Sequence, residues 1–273
     1  MQHRKIAFIG AGNMAQAIIA GLIAGGYPAG LISVCAPSAT RREALVARYG
    51  VNGSDDNVGC ARAADVVVLA VKPQLMAEVC APLQQNVDFG AKLVLSIAAG
   101  VSIARFRALL GEPLNIVRVM PNTPSLVGKG MSGLYAPEEV SRDDREFSAA
   151  LMGSVGEVCW VGQEEAINGV IAAAGSAPAY FFLFMEAMQQ EAERMGFDAA
   201  TARLLVQQAA SGAAALVEAS PDTPLSTLRE NVTSRGGTTA QALQVFNERQ
   251  LPQTVADAMR AAVARAREME TLF

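Results

Sequence analysis

The hexapeptide Gly10-Ala11-Gly12-Asn13-Met14-Ala15 follows directly on the apolar run Ile6-Ala7-Phe8-Ile9. Strand, glycine turn and helix, in that order, is what a bound dinucleotide requires. The first glycine permits the tight turn, and the second lets the backbone approach a pyrophosphate. A small third residue, here Ala15, lets the helix lie close to the strand. The helix expected over residues 13–24 would aim free N–H groups and the positive end of its dipole at the phosphates. An ordinary strand-to-helix turn would need only one glycine. A second glycine pair lies far downstream, in Val232-Thr233-Ser234-Arg235-Gly236-Gly237-Thr238-Thr239-Ala240. Successive backbone N–H groups at such a turn form an anion nest, which suits a carboxylate. A plain helix start with Thr238 as N-cap would need neither the double glycine nor the second threonine.

Four further stretches could complete a dinucleotide site. Chains that take NAD usually end the second strand with Asp or Glu on the ribose hydroxyls. Here Leu31-Ile32-Ser33-Val34-Cys35-Ala36 runs into Pro37-Ser38-Ala39-Thr40-Arg41-Arg42, with no carboxylate. Hydroxyls and two arginines suit a 2′-phosphate and favour NADPH over NADH, with at least one arginine expected on the phosphate; the alternative is that both are solvated residues of the next helix. Ala70-Val71-Lys72-Pro73 and Ser96-Ile97-Ala98-Ala99-Gly100 end two later apolar runs. Met120-Pro121-Asn122-Thr123-Pro124 ends another and presents an amide. All would fall at the carboxyl edge of a parallel sheet, where open α/β folds bind ligands. Each alone also reads as a simple turn, and Lys72 as a surface lysine before a helix.

The elements that must position these residues change character along the chain. Up to residue 163, apolar runs at 6–9, 31–36, 66–71, 93–98, 115–120 and 157–161, with a weaker one near 132–135, alternate with helical periods. The helical periods lie near 40–49, 74–85, 102–110 and 142–153. Alternation of this kind predicts a Rossmann-type, doubly wound parallel sheet over 1–163. From 164 to 273 the strand signal disappears, and 164–195, 199–219, 223–231, 238–248 and 252–271 all read as helix. This all-α half is rich in small apolar residues, as in Ala209-Ala210-Ser211-Gly212-Ala213-Ala214-Ala215, and shows little polar face. That predicts a homodimer through the C-terminal helices, with a compact monomeric bundle as the alternative.

Composition narrows the function classes. The 273-residue chain has a net charge of −4 and no basic block, which argues against nucleic acid. Cys35, Cys60, Cys80 and Cys159 show no metal-type spacing and read as free thiols in a reducing compartment. The first strand begins almost at the N-terminus, which leaves no room for a signal peptide and suggests the cytoplasm. Residues 170–185 are apolar but interrupted by Gly175, Ser176 and Pro178, so a buried helix is expected rather than a membrane span. The one histidine is His3. A hydroxy-acid dehydrogenase using a histidine acid–base is therefore disfavoured.

Taken together, these residues resemble the pyrroline-5-carboxylate reductases, the NAD(P)H-dependent enzymes that complete proline biosynthesis. The resemblance runs over essentially the whole chain and includes Gly10–Met14, Ala70–Pro73, Ser96–Gly100, Met120–Pro124, Ser176–Tyr180 and Ser234–Thr239. The last stretch is close to the family signature and is the specific part. Two departures stand out: Arg235 where the family usually has proline, and Ala177 where it usually has glycine. The resemblance implies reduction of the cyclic imine 1-pyrroline-5-carboxylate to L-proline. Ser234, Gly237, Thr238 and Thr239 would bind the substrate carboxylate, and the Thr239 hydroxyl would bond the ring nitrogen. The cofactor contacts expected are Gly10, Ala11, Gly12, Asn13, Met14, Ser38, Arg41, Asn57, Ala70, Val71, Lys72, Ala98, Ala99 and Asn122, with no metal. Family members are dimers, and the dimers can assemble into rings. Two alternatives stay open: a related imine reductase or β-hydroxyacid dehydrogenase with Lys72 as proton donor, and a non-enzymatic NADP(H)-binding regulator.

Overall fold

The computed structural model describes residues 2–272. The first part of the chain alternates strands and helices: β1 (Ile6–Ile9), α1 (Asn13–Ala24), β2 (Ile32–Cys35), α2 (Ala39–Tyr49), β3 (Asn52–Ser54), α3 (Asn57–Ala63), β4 (Val66–Leu69), α4 (Met76–Asn86), β5 (Leu93–Ser96), α5 (Ile103–Leu110), β6 (Asn115–Met120), β7 (Gly130–Tyr135), α6 (Arg142–Gly153) and β8 (Gly156–Trp160). The strands form one sheet in the order β3-β2-β1-β4-β5-β6-β7-β8. β1 lies between β2 and β4, with Ile6 paired to both Ile32 and Val66. The chain therefore reverses direction across the sheet between β1 and β4. In such folds that point leaves a crevice beyond the strand ends.

β1, β4 and β5 are buried on both faces, and so read as continuous apolar runs rather than alternating ones. Ile6, Phe8, Val34, Val68 and Leu95 face one core with α1 and α6. Ala7, Ile9, Val67, Leu69 and Val94 face the other with α4 and α5. All four cysteines are free thiols.

Two features depart from the sequence reading. The sheet is not wholly parallel, because β7 runs antiparallel to β6 and parallel to β8. In addition, β3 and α3 form where no element was expected. Asn52-Gly53-Ser54 has no apolar side chain, and it is held at the sheet edge by backbone pairing to β2.

The helical part comprises α7 (Ala166–Val170), a π-helical turn (Ile171–Gly175), α8 (Ala177–Arg194), α9 (Ala199–Glu218), α10 (Leu225–Asn231), α11 (Thr238–Glu248) and α12 (Leu251–Leu272). By compactness the chain forms two units: residues 1–178 with 261–273, and residues 179–260. Within the first unit, Arg118 on β6 is 1% exposed and is the largest fully buried side chain. Its Nη1 donates to Glu164 Oε1 at 2.9 Å, and its Nη2 forms an ion pair with Glu270 at 2.9 Å. Glu164 Oε1 also accepts the Ile103 N–H at 2.8 Å. One buried cation thus ties the chain entering α7 and the end of α12 to the middle of the sheet.

The second unit differs from expectation in one respect. No residue of α8 is buried within the single chain, and Phe181 and Leu183 are each 67% exposed. The expected buried helix is therefore uncovered here. Taken as one helix, Ala166–Arg194 is the one segment among the described residues long and apolar enough to cross a membrane by length and composition.

Removing Arg118 would leave two carboxylates facing an apolar sheet. Arg118→Ala should lower unfolding free energy by about 3 kcal/mol, the cost typical of breaking a buried ion pair from one side. Urea denaturation measures this, and a loss below about 1 kcal/mol would show the clamp to be dispensable.

Candidate active site

The cofactor edge is built by close backbone approach. Gly10 has φ +116°, and a Cβ placed there would lie 2.4 Å from the Ala70 carbonyl oxygen and 3.2 Å from Val71 Cγ1. No L-residue fits, so the end of β1 passes directly against the Ala70–Val71 backbone beyond β4. Gly10 N–H donates to Cys35 O at 2.7 Å, and Ala70 N–H to Ile9 O at 2.8 Å. Ala11 is buried behind the turn. Gly12 is the N-cap of α1 with φ −75° and ψ 173°, and nothing lies within 4 Å of the space a Cβ would take. No side chain caps α1. Asn13 and Met14 thus open a helix whose first N–H groups are left for a ligand, beside a glycine with open space above it. This arrangement fits a dinucleotide pyrophosphate.

Past β2, the two arginines divide their work. Arg42 Nη1 donates to Ala36 O at 2.6 Å, and its stem covers Gly53. Arg41 is exposed and makes no hydrogen bond or ion pair among the described residues. Ser38 is the N-cap of α2, but its hydroxyl does not cap the helix. Ala36 N–H donates to Ser54 O at 3.3 Å, which brings the loop before Asn57, the first residue of α3, beside the loop that carries Ser38. That loop is shaped by Asp56, which accepts from Gly59 N–H at 2.9 Å. Burial, aided by the adjacent Cys60, pushes the Cys35 thiol far above its ordinary value, so it stays protonated at the strand end. The local pattern around Asn57 shows neither β3 nor α3, the strand before it and the helix it opens.

The remaining edge residues lie on the loops that follow the strands, and one of them turns its side chain inward. Lys72 is exposed and unpaired among the described residues. Ala98 N–H donates to the buried Ser96 Oγ at 3.3 Å, which holds the Ala98-Ala99 turn. Gly100, at φ +72°, lies against Met269 near the end of α12, where a Cβ would come within 2.7 Å. Asn122 does not present its amide outward. Nδ2 donates to Ala174 O at 3.0 Å, and Oδ1 accepts Met131 N–H at 2.8 Å. Its side chain is committed inside the protein, where it braces the backbone.

In the second unit, Gly237 N–H donates to Ser234 O at 3.0 Å and closes a turn over Arg235-Gly236. Gly236 has φ +72°, the left-handed conformation that the third position of such a turn demands. Gly237, extended at φ −80° and ψ 173°, is the N-cap of α11, and no side chain caps that helix. A Cβ on Gly237 would meet Ser234 Oγ at 2.4 Å. Thr238 and Thr239 open α11, and their hydroxyls make no hydrogen bond among the described residues. The result is an uncapped helix N-terminus with free hydroxyls, suited to a carboxylate. Arg235 occupies the second position of the turn, where proline would otherwise preset the backbone.

Comparison with known proteins shows the family. The family profile described as pyrroline-5-carboxylate reductase dimerisation matches residues 164–269. Residues 5–100 match the profile described as NADP oxidoreductase, coenzyme F420-dependent. The pyrroline-5-carboxylate reductase of Vibrio alginolyticus is 63% identical over the whole of both chains. A pyrroline-5-carboxylate reductase structure from Coxiella burnetii superposes with TM-score 0.93 at 42% identity, covering 98% of this chain and 99% of that one. The chain belongs to the pyrroline-5-carboxylate reductase family. It is an oxidoreductase of proline synthesis that uses a nicotinamide cofactor. The Plasmodium falciparum pyrroline carboxylate reductase, solved with NADP bound, superposes with TM-score 0.87 at 28% identity, with 99% of each chain covered.

Sequence reasoning passed over Arg118. Its signal was visible as a lone charge within the apolar run Ile116-Val117-Arg118-Val119-Met120.

The two fingerprint glycines should separate on substitution. Gly10→Ala forces a Cβ into a backbone oxygen and should cost at least about 2 kcal/mol in urea denaturation. Gly12→Ala meets nothing in the protein and should unfold within about 0.5 kcal/mol of the parent. It should nonetheless weaken cofactor binding about tenfold by fluorescence titration, because its methyl enters the pyrophosphate's space. Equal effects of the two substitutions on stability would contradict this reading.

Proposed function

We propose that the protein reduces 1-pyrroline-5-carboxylate to L-proline, with NADPH preferred over NADH, as a cytoplasmic homodimer. The observation that carries this reading is the pair of uncapped helix N-termini, each behind a glycine turn. Gly10–Met14 offers backbone N–H groups to a pyrophosphate, and Ser234–Thr239 offers them to a carboxylate. Ser38, Arg41 and Asn57 would hold the ribose and its 2′-phosphate, with Arg41 free to do so and Arg42 bracing the strand end behind it. Ala70, Val71, Lys72, Ala98 and Ala99 would border the nicotinamide, with Asn122 contributing only main chain. When bound, the nicotinamide supplies the hydride.

The chain's own residues have a modest chemical task. The protonated imine is already electrophilic, so binding and orientation account for most of the requirement. Ser234, Gly237, Thr238 and Thr239 hold the carboxylate through backbone N–H groups. The Thr239 hydroxyl bonds the ring nitrogen and keeps it facing one way. No histidine is needed, in keeping with a chain whose one histidine is His3. A regulator that only sensed NADP(H) would have no use for the second anion site.

Residues 164–273 form the dimerisation and substrate-binding region on this reading. The exposed Phe181, Phe182, Leu183, Leu204 and Leu205 support it, as does the matching dimerisation profile over 164–269. Light scattering of the dilute protein should report a dimer or a multiple of dimers. A stable, active monomer would overturn the interface.

The deciding assay is oxidation of NADPH, beside NADH, with pyrroline-5-carboxylate, piperideine-6-carboxylate and β-hydroxy acids. Activity confined to hydroxy acids would favour a dehydrogenase with Lys72 as donor. Within the assay, Thr239→Val removes one hydrogen bond to a charged group while nearly preserving shape. That should cost about ten- to a hundredfold in kcat/KM. Thr238→Val should cost less, because its assigned contact is a backbone N–H that valine retains. Full activity in Thr239→Val would remove the turn from the substrate site.

A further inference from the structure

Between α7 and α8 the chain makes a π-helical turn, with Ser176 N–H donating to Ile171 O, five residues back, at 2.7 Å. Two residues later comes Pro178, which has no N–H. In an unbroken helix that N–H would serve the carbonyl four residues earlier, which is Ala174. The Ala174 carbonyl is served instead from across the unit, by Asn122 Nδ2 at 3.0 Å. The other end of the same amide accepts Met131 N–H at 2.8 Å, just beyond the antiparallel pairing of β7 with β6. Asn122 is itself fixed: it is 8% exposed, and its own carbonyl accepts Ser125 N–H at 3.2 Å. A second contact presses the turn onto β6, because a Cβ on Gly175 would lie 2.7 Å from Met120 Cε. The chain passes from the first compact unit to the second between Pro178 and Ala179.

We propose that Asn122 is a positioning residue: its amide replaces the N–H that Pro178 lacks, and so fixes the backbone at the point where the chain leaves the cofactor-binding unit. The residue acts through Ala174 and does not touch the reacting atoms. A π-turn is a soft element that can relax into an ordinary helix, and such turns occur often at functional sites. Pro178 blocks that relaxation by steric clash, but it leaves a carbonyl without a donor. Asn122 removes this cost and links the turn to both β6 and β7. The inference rests on the functional reading above, since its kinetic readout is the reduction proposed there.

A double-mutant cycle tests it. Asn122→Asp keeps the shape and the acceptor for Met131 but loses the donor to Ala174. It should lower kcat about tenfold, the kinetic equivalent of about 1.4 kcal/mol, with KM for NADPH within about twofold. Pro178→Ala supplies a backbone N–H for Ala174 and should stay within about twofold of the parent. In the Pro178→Ala background, Asn122→Asp should cost less than about threefold. The coupling should also appear in urea midpoints, and a cycle using Asn122→Ala covers the case in which the aspartate variant folds poorly. Equal losses in both backgrounds would overturn the proposal, as would a loss carried mainly by KM for NADPH, which marks a direct cofactor contact. If the parent enzyme failed to reduce pyrroline-5-carboxylate, the functional reading would fall. The urea cycle would then still decide the coupling of Asn122 to Pro178.

Discussion

The contact between Gly10 and the Ala70 carbonyl sets the geometry of the cofactor edge. A Cβ at Gly10 would lie 2.4 Å from that oxygen, so β1 and β4 can run side by side to their ends only if residue 10 has no side chain. The same backbone carries the ladder onward, through Gly10 to Cys35 and Ala70 to Ile9. With the strand ends fixed this closely, α1 must begin at Gly12, and its first N–H groups emerge at the carboxyl edge of the sheet. Ser38, Lys72 and Ala98 lie on loops that leave neighbouring strands of the same sheet.

The two anion-receptive turns are built on the same principle but differ in how they are braced. At α1 the sheet supplies the rigidity, and Gly12 is left with open space. At α11 there is no sheet, and the turn closes on itself through Gly237 N–H to Ser234 O. Gly236 takes the left-handed conformation, and Gly237 leaves room for the Ser234 hydroxyl. Such a local turn depends more on the residue at its second position, which here is Arg235. Arginine forgoes the preset backbone that proline would bring, and it adds a positive charge to a site suited to a carboxylate.

Much of this was legible in the sequence, for physical reasons that differ by element. The buried strands could be read because both of their faces are apolar, as in Val66-Val67-Val68-Leu69. The helices of the second half could be read because Pro224, Gly237 and Pro252 mark their starts. β3 escaped because Asn52-Gly53-Ser54 pairs through backbone alone, which leaves no trace in side-chain pattern. The direction of β7 escaped because local pattern does not distinguish parallel from antiparallel pairing. Asn122 was read as an outward amide. Its actual partners, Ala174 and Met131, lie 52 and 9 residues away, and no local rule joins them. The two glycine turns, by contrast, are made by consecutive residues, so their backbone shape is readable locally.

The apolar helix α8 shows where composition alone misleads. The stretch Ala166–Arg194 has the length and hydropathy of a membrane span, yet only 17% of its most apolar window is buried in the single chain. Its two halves meet different surroundings. The first half, through Val170 and Gly175, packs onto β7 and β6, with Val170 filling the space above Gly133 and Met120 reaching Gly175. The second half carries Phe181, Phe182 and Leu183 exposed, followed by Glu186, Gln189 and Gln190. A lipid-spanning helix gains nothing from a π-turn pinned to a sheet strand by an asparagine, because that anchoring fixes one end inside a folded protein. The break at Ile171–Pro178 anchors the first part of this stretch to the sheet through Asn122, while the exposed Phe181, Phe182 and Leu183 beyond it lie in the span matched by the dimerisation profile.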